Sequence, residues 1–230
     1  MKRFFLSFVL ILMATQVHTQ IENDRLDSLM VSIYTGYQPG AAIAVVKEGD
    51  IVFKGAYGIA DLNSKLPVSS STNFNICSLT KQFTAYCILK LAVEKKLRLE
   101  DKIARYFPDF NPNIAGMITI RHLLTHSSGV IDHYDYADTA SISKFCFRDR
   151  DVLNAIKPID SVYFPPGSEY RYSNTAFCLL SLIIEQVSGD PFPEYIRKNI
   201  FMPLSMDKSY IINPEFTIPE RAFGYRFENG

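Results

Sequence analysis

A serine and a lysine, Ser78 and Lys81, stand three residues apart at the start of a long apolar periodic run. The run follows a loop rich in serine, threonine and asparagine, so the pattern predicts that a helix begins near Ser78. Residues three apart lie on the same helix face, and the lysine amine would therefore reach the serine hydroxyl. Such an amine can accept the hydroxyl proton and make the serine a nucleophile. Unpaired backbone N–H groups at the helix start would stabilise the resulting oxyanion.

The Ser-x-x-Lys pattern also occurs at 141–144 and at 205–208. The first of these matches soon gives way to the charged segment 148–150, and the second trails a segment that contains proline. Neither is followed by an apolar run with helical spacing. The context therefore selects Ser78 as the candidate nucleophile and Lys81 as its candidate base.

The elements around these residues are predicted from periodicity. Apolar residues with helical spacing predict an amphipathic helix that begins near Asp24 and ends near Gly36. The strand-like segments 41–47 and 51–57 predict a β-hairpin. Helices are further predicted at 79–97, 118–125, 151–156, 175–187 and 193–201, and a loop at 62–75.

The strands are too few for a stable sheet. One hairpin alone is marginally stable in water. We therefore expect either that residues 210–230 contribute strands or that the sequence is incomplete at its C-terminus.

Length and composition favour one globular domain, with two subdomains as an option. The chain has 230 residues, of which 47% are hydrophobic and 21% charged, and this is enough for a sizeable core. Lys and Arg together number 24, as do Asp and Glu, so the net charge is zero. This balance argues against a nucleic-acid partner or an anionic membrane surface.

The N-terminus has the pattern of a secretory signal. Lys2 and Arg3 precede an apolar run at 4–14 that is too short for the roughly twenty residues of a membrane-spanning helix. A cleavage site near Thr19 would leave 20–230 as the mature domain, periplasmic or secreted and without a stable membrane span. An uncleaved N-terminal anchor is the alternative.

Four cysteines, Cys77, Cys87, Cys146 and Cys178, would remain after cleavage. Export permits disulfides. Cys77 and Cys87, however, are ten residues apart on one predicted helix, or roughly 15 Å, which is too far to bridge. We expect buried thiols, and no cysteine pair has the spacing of metal ligands.

Tyr172 and Asn174 form the chain's one Tyr-x-Asn motif, between a Pro-Pro-Gly turn and an apolar helix. Taken alone, the motif is explained more simply by structure: Ser173 or Asn174 would cap the helix and Tyr172 would lie in the core. Taken together with Ser78-x-x-Lys81, the motif indicates a catalytic role.

The two motifs together resemble those of the serine β-lactamase and penicillin-binding-protein superfamily, in its class C β-lactamase-like and D-alanyl-D-alanine carboxypeptidase-like branch. The resemblance runs in order from about residue 22 to the end. It includes the stretches 39–46, 78–85, 120–129, 164–167 and 172–174.

The resemblance implies an α+β fold, in which an antiparallel sheet is flanked by helices and an all-helical subdomain is inserted after the nucleophile helix. It implies that Ser78 attacks an amide, lactam or ester carbonyl and forms an acyl-enzyme. Lys81 or Tyr172 would be the base, and Asn174 would bind the substrate amide and hold Lys81. A small molecule or peptide is the implied substrate, and no cofactor is implied.

The family's third motif, Lys-Thr-Gly or His-x-Gly on a later strand, is absent, since the last histidine is His133. The resemblance therefore implies C-terminal truncation. An active serine hydrolase is the leading hypothesis. The alternative is an inactive fragment or pseudoenzyme that only binds peptide-like or cell-wall ligands.

Other catalytic sites fit the sequence less well. His122 and His126 have a spacing that can hold zinc, but Leu123 stands where a zinc protease has glutamate. We expect these histidines to be structural, with no metal site. The Gly-x-Ser-x-Gly nucleophile elbow is also absent from the sequence.

Overall fold

The computed structural model describes residues 23–136, 148–212 and 216–226. The chain divides into two compact units, one made of Met1–Asn75 with Thr217–Gly230 and the other of Ile76–Phe216. The signal-like segment 1–19, the Ser-x-x-Lys match at 141–144 and Cys146 lie outside the described residues.

The first unit contains the predicted hairpin. Strands β1 (Ala41–Lys47) and β2 (Asp50–Tyr57) pair antiparallel, with one irregularity after Val45. Glu48 and Gly49 connect them, and both have positive φ angles, 54° and 93°. Two central residues with positive φ match the twist of paired strands, which explains why this short connection forms a hairpin.

A second, smaller sheet follows. Strand β3 (Ile59–Asp61) pairs with β4 (Leu66–Pro67), which lies inside the segment that the sequence predicted as loop. Near the end of the chain, Arg221 forms an isolated bridge with Asn73. The described part of 210–230 thus supplies one bridge and no strand, so it does not meet the alternative in which these residues complete the sheet.

Helix α1 covers 23–33, as predicted, but its apolar face is not in the core. Leu29 and Ile33 are 54% and 52% exposed. Two polar contacts join the helix to the hairpin: the Asn23 amide donates to the Val52 carbonyl at 3.1 Å, and the Tyr57 hydroxyl donates to Asp27 at 2.7 Å.

The described residues of the second unit are helical or irregular. A 3₁₀ turn at Cys77–Leu79 leads into the first helix of this unit. The helices are α2 (Thr80–Val93), α3 (Pro112–Ala115), α4 (Ile120–Leu124), α5 (His133–Tyr136), α6 (Asp149–Ile156), α7 (Asn174–Ser188) and α8 (Phe192–Ile196), with further turns at Ile103–Arg105 and Arg197–Phe201. Within the described ranges, no helix combines the length and the apolar character needed to cross a bilayer.

Helix α2 ends earlier than its periodicity predicts. Lys95 adopts a left-handed conformation with a φ of 60°, and the Lys96 N–H bonds the Leu91 carbonyl at 2.9 Å. This six-to-one bond is the Schellman type of helix end. Glycine usually occupies the left-handed position, and a lysine there gave no signal of a helix end.

The core lies where α7 packs against α2, α4 and α6. Helix α7 begins at the Ser173 cap, as one reading of the motif predicted, and ends at Gly189, whose φ is 79°. Four of its side chains, Leu179, Leu180, Ile183 and Ile184, are completely buried. The helix that bears Lys81 is therefore fixed to the helix that bears Asn174 by apolar packing.

This packing predicts unequal effects of two leucine substitutions on α2. Leu91 is fully buried, whereas Leu89 is 48% exposed. We expect Leu91→Ala to lower the free energy of unfolding by about 2–5 kcal/mol, through lost burial and a new cavity. Leu89→Ala, the matched control, should lower it by less than about 1 kcal/mol. Urea unfolding of both variants measures the difference, and equal losses would contradict the assigned core.

Candidate active site

Ser78 lies exposed in the 3₁₀ turn that precedes α2. The residue before it, Cys77, has a φ of 48°. A side chain in this left-handed region costs about 1–2 kcal/mol, and such strain is concentrated at functional sites. The strained residue sets the direction in which the chain enters α2, and so the position of the serine.

Lys81 lies one turn further on, in the first turn of α2. Its Nζ donates to Ser78 Oγ at 3.2 Å and to Asn174 Oδ1 at 3.0 Å. It also lies 4.7 Å from the ring centroid of Tyr172 and 5.5 Å from that of Phe177. None of the ion pairs between described residues involves Lys81. The amine is therefore held by a hydroxyl, an amide oxygen and two aromatic faces.

Tyr172 approaches the serine from the segment before α7. Its hydroxyl donates to Ser78 Oγ at 2.7 Å, and the residue is 43% exposed, so it is not a core tyrosine. Burial acts to raise the pKa of Tyr172, but hydrogen bonding with Lys81 and Ser78 and the charge of Lys81 outweigh it, so the pKa is lowered. A phenol with a lowered pKa is more readily converted into a base.

Asn174 is the first residue of α7. Its motif both caps the helix and supplies a side chain to the site. Ser173 caps the helix, because its Oγ accepts a hydrogen bond from the Ala176 N–H at 3.1 Å. The cap leaves the Asn174 side chain available, and its Oδ1 accepts from Lys81. The four predicted site residues are thus brought together within one unit of the chain.

A cavity of about 410 Å³ is lined by Ser78, Lys81 and Asn174. Four further lining residues did not stand out in the sequence: His133, Asp149, Cys178 and Ser181. They come from α5, α6 and α7, and no spacing pattern connects them. Burial raises the pKa of the Asp149 carboxyl, although hydrogen bonds from Ser181 and Cys178 oppose the shift.

The two histidines have separate structural roles. His122 completes a capping box at the start of α4: its N–H bonds Thr119 Oγ1, and its Nδ1 accepts from the Thr119 N–H. His126 Nδ1 accepts from the Ser173 N–H at 3.1 Å. Across the residues that the structure describes, no group of three potential metal ligands occurs.

The remaining Ser-x-x-Lys match and the cysteines bear on the other expectations. Residues 205–208 lie in turns, and Ser205 has a φ of 53°, so no helix aligns that serine with its lysine.

Cys87 is buried and burial raises its pKa to about 12, whereas Cys77 is exposed, contrary to the expectation of a buried thiol. Neither forms a disulfide with a described residue.

A serine in a 3₁₀ turn and a lysine in the first turn of the helix that follows, both facing a Tyr-x-Asn segment, define the class of this protein as the serine β-lactamase and penicillin-binding-protein superfamily, with the β-lactamase/transpeptidase-like fold. The chain belongs to the Beta-lactamase family, whose model matches residues 25–230.

Three individual proteins illustrate the similarity. The protein flp of Staphylococcus aureus is 34% identical over 216 residues, which are 93% of this chain and 41% of flp. The octameric penicillin-binding protein homologue from Pyrococcus abyssi has a TM-score of 0.75 and 29% identity over 90% of this chain and 48% of that one. The D-amino acid amidase from Ochrobactrum anthropi SV3 has a TM-score of 0.65 and 29% identity, over 81% of this chain and 51% of the amidase chain.

The chain spans about two fifths of the length of the curated relatives that it matches first.

Proposed function

We propose that this chain carries the nucleophile and base of a serine hydrolase that acts through an acyl-enzyme on amide, lactam or ester bonds. The observation that carries the proposal is the position of Ser78 Oγ, 2.7 Å from the Tyr172 hydroxyl and 3.2 Å from Lys81 Nζ. Both groups are within the reach that proton transfer requires.

The chemistry follows from these contacts. Ser78 Oγ attacks the substrate carbonyl carbon, and its proton passes to Tyr172 or Lys81. The same proton is then given to the leaving nitrogen or oxygen as the bond to it breaks. Water hydrolyses the acyl-enzyme by the reverse use of the base and regenerates Ser78. The Ser78 N–H would donate to the oxyanion.

Asn174 has a divided role in this scheme. Its Oδ1 is occupied by Lys81, and its amide nitrogen is left to donate to an acceptor on the substrate. A substrate with an amide carbonyl beside the reacting bond fits this donor. The names of the penicillin-binding and D-amino acid amidase relatives favour lactam and D-amino-acid amide substrates.

The proposed location is extracytoplasmic, in the periplasm or outside the cell. The support is the signal-like pattern at 1–19, where two cations precede a short apolar run. The class C-like branch and the boundary of the mature domain at residue 20 belong to the same proposal.

The test is intact mass after incubation with a fluorophosphonate and, separately, with a penicillin. We expect one covalent adduct per chain on the unaltered protein and none on Ser78→Ala. Ser205→Gly is the matched control, because it removes the serine of the second match and tolerates the left-handed backbone there. It should keep the adduct.

Two outcomes would contradict the proposal. One is a folded chain, by circular dichroism, that forms no adduct with either probe. The other is an adduct that survives in Ser78→Ala, because the nucleophile would then be a different residue. An adduct with the penicillin as well as the fluorophosphonate would support lactam recognition.

A further inference from the structure

We propose that His126 and Asp132, in the loop between α4 and α5, are positioning residues that hold the Tyr172–Asn174 segment against Ser78 and Lys81. The proposal rests on the function proposed above, and it concerns two residues that carry no role in that chemistry. Both act through backbone N–H groups of the segment and not through contact with a substrate.

Asp132 is a buried carboxylate, 6% exposed. Its Oδ2 accepts from the Asn174 N–H at 2.6 Å and its Oδ1 accepts from the Tyr134 N–H at 3.1 Å. Each oxygen thus holds one backbone donor, one in the first turn of α5 and one in the site. A carboxylate at this place is also stabilised by the positive N-terminal end of α7.

His126 holds the preceding residue. Its Nδ1 accepts from the Ser173 N–H at 3.1 Å, and its carbonyl accepts from the Arg171 N–H at 2.9 Å. Its ring packs on those of Tyr172 and Phe177, with centroid distances of 4.6 and 5.1 Å. The imidazole therefore contacts the candidate base directly and bonds the backbone after it, while the His126 carbonyl bonds the backbone before it.

The neutral form of His126 is the one that can accept at Nδ1. Burial and the positive charge of Lys81 lower the pKa of His126, against a smaller opposing effect of Asp132. Tyr170 and Tyr172 are the other titratable groups that pack on the ring. Both effects favour the uncharged ring, which is the form that can hold Ser173.

These contacts account for the start of α7. A helix leaves its first four N–H groups without a partner inside the helix. Here the Ser173 N–H bonds His126, the Asn174 N–H bonds Asp132, and the Ala176 N–H bonds the Ser173 hydroxyl. Two of these three acceptors come from the loop, so the loop sets the rotation of the first turn and the direction of Asn174.

The first residue of α5, which directly follows this loop, makes a third attachment. The His133 N–H donates to Thr175 Oγ1 at 2.8 Å, and His133 Nδ1 lies 3.0 Å from the same oxygen. The loop and the start of α5 thus bond the backbone N–H groups of Arg171, Ser173 and Asn174 and the side-chain hydroxyl of Thr175. A displacement of about 1 Å in a catalytic group can cost 10²-fold in rate, so this loop is placed to affect catalysis.

The test uses two matched pairs of variants. Asp132→Asn keeps the shape but has one carbonyl oxygen, so it cannot accept from both backbone donors. Asp135→Asn makes the same charge change three residues later, in α5, where the hydrogen bonds of the carboxylate with described residues are to the side chains of Tyr163 and Arg171. At position 126 the φ is 55°, which Gly and Asn both tolerate. Of these two replacements, only asparagine offers an oxygen near the place of Nδ1.

Two readouts are made on each folded variant. The first is hydrogen-exchange protection of the Ser173 and Asn174 amides. The second is the rate at which a fluorophosphonate phosphonylates Ser78, with loss of fluoride, which serves here as the measure of acylation. We expect Asp132→Asn and His126→Gly to lose protection at 173–174 and to be acylated about 10²-fold more slowly. Asp135→Asn should match the unaltered chain, and His126→Asn should recover most of the loss.

The outcomes separate the two proposals. Unchanged protection in Asp132→Asn and His126→Gly would overturn the positioning role, as would lost protection with an unchanged acylation rate. Equal defects in His126→Gly and His126→Asn would show that the ring acts by packing alone and would also overturn it. Absence of acylation in the unaltered chain would refute the proposed function, while the exchange data would still decide whether the loop holds the segment. If Asp132→Asn does not fold, the pair at position 126 decides.

Discussion

Replacing Lys81 with methionine is expected to slow the reaction of Ser78 with a fluorophosphonate, the measure of acylation, by about 10²–10⁴-fold, the usual contribution of a positioned proton-transfer group. Methionine retains most of the volume of the side chain and removes the amine. The change breaks the contacts of Nζ with Ser78 Oγ and Asn174 Oδ1 together. It also leaves Asn174 Oδ1 without the hydrogen bond from Lys81, so the side-chain amide is expected to turn away from the site.

Lys90→Met is the control for this experiment. Lys90 lies on the same helix, and its Nζ bonds Glu94 on the outer surface. The control should be acylated at the rate of the unaltered chain, as followed by intact mass over time. A Lys81→Met variant that keeps full reactivity would remove Lys81 from the mechanism.

Much of this site could be predicted from local patterns. The i, i+3 spacing of Ser78 and Lys81 places both on one turn, and their 3.2 Å contact is a direct consequence of that spacing. The Ser173 cap and Gly189 mark the two ends of α7, and each is a local signal that acts on its own backbone. The hairpin was equally predictable, because Glu48 and Gly49 occur between two alternating segments.

Other features depend on contacts between distant parts of the chain. Asp132 accepts a hydrogen bond from the Asn174 N–H, 42 residues away in the sequence, and His126 accepts one from the Ser173 N–H, 47 residues away. The sequence shows a histidine and an aspartate in a loop, but not which backbone groups they face. The stretch 120–129 contributed to the family resemblance, and that was the one signal that this loop matters.

Some local features were also missed. The end of α2 depends on a left-handed lysine, Lys95, which the propensities of a charged helix-forming residue do not predict. The short strand β4 contains Pro67, which disfavours a strand, and it forms because β3 supplies its partner. In both cases tertiary context outweighs the preference of the residue itself.

Replacing Tyr172 with phenylalanine is expected to slow the same acylation by about 10²–10⁴-fold and to change its dependence on pH. Phenylalanine keeps the ring that packs on His126 and faces Lys81, and it removes only the hydroxyl that lies 2.7 Å from Ser78 Oγ. If the phenolate is the base, the rate in the unaltered chain rises as the pH increases through the pKa of Tyr172. That pKa is lowered from 10.0, because hydrogen bonding with Lys81 and Ser78 outweighs the effect of burial.

The pH profile assigns the base. Acylation is measured by intact mass between about pH 6 and 10, a range that covers the ionisation of a phenol with a lowered pKa. With Tyr172 as base, the rise disappears in Tyr172→Phe and persists in Tyr170→Phe, since the neighbouring Tyr170 is 71% exposed and contacts His126 by its ring. With Lys81 as base, Tyr172→Phe lowers the rate and leaves the shape of the pH profile unchanged. A Tyr172→Phe variant with both full rate and an unchanged profile would leave Lys81 as the one proton acceptor beside the serine.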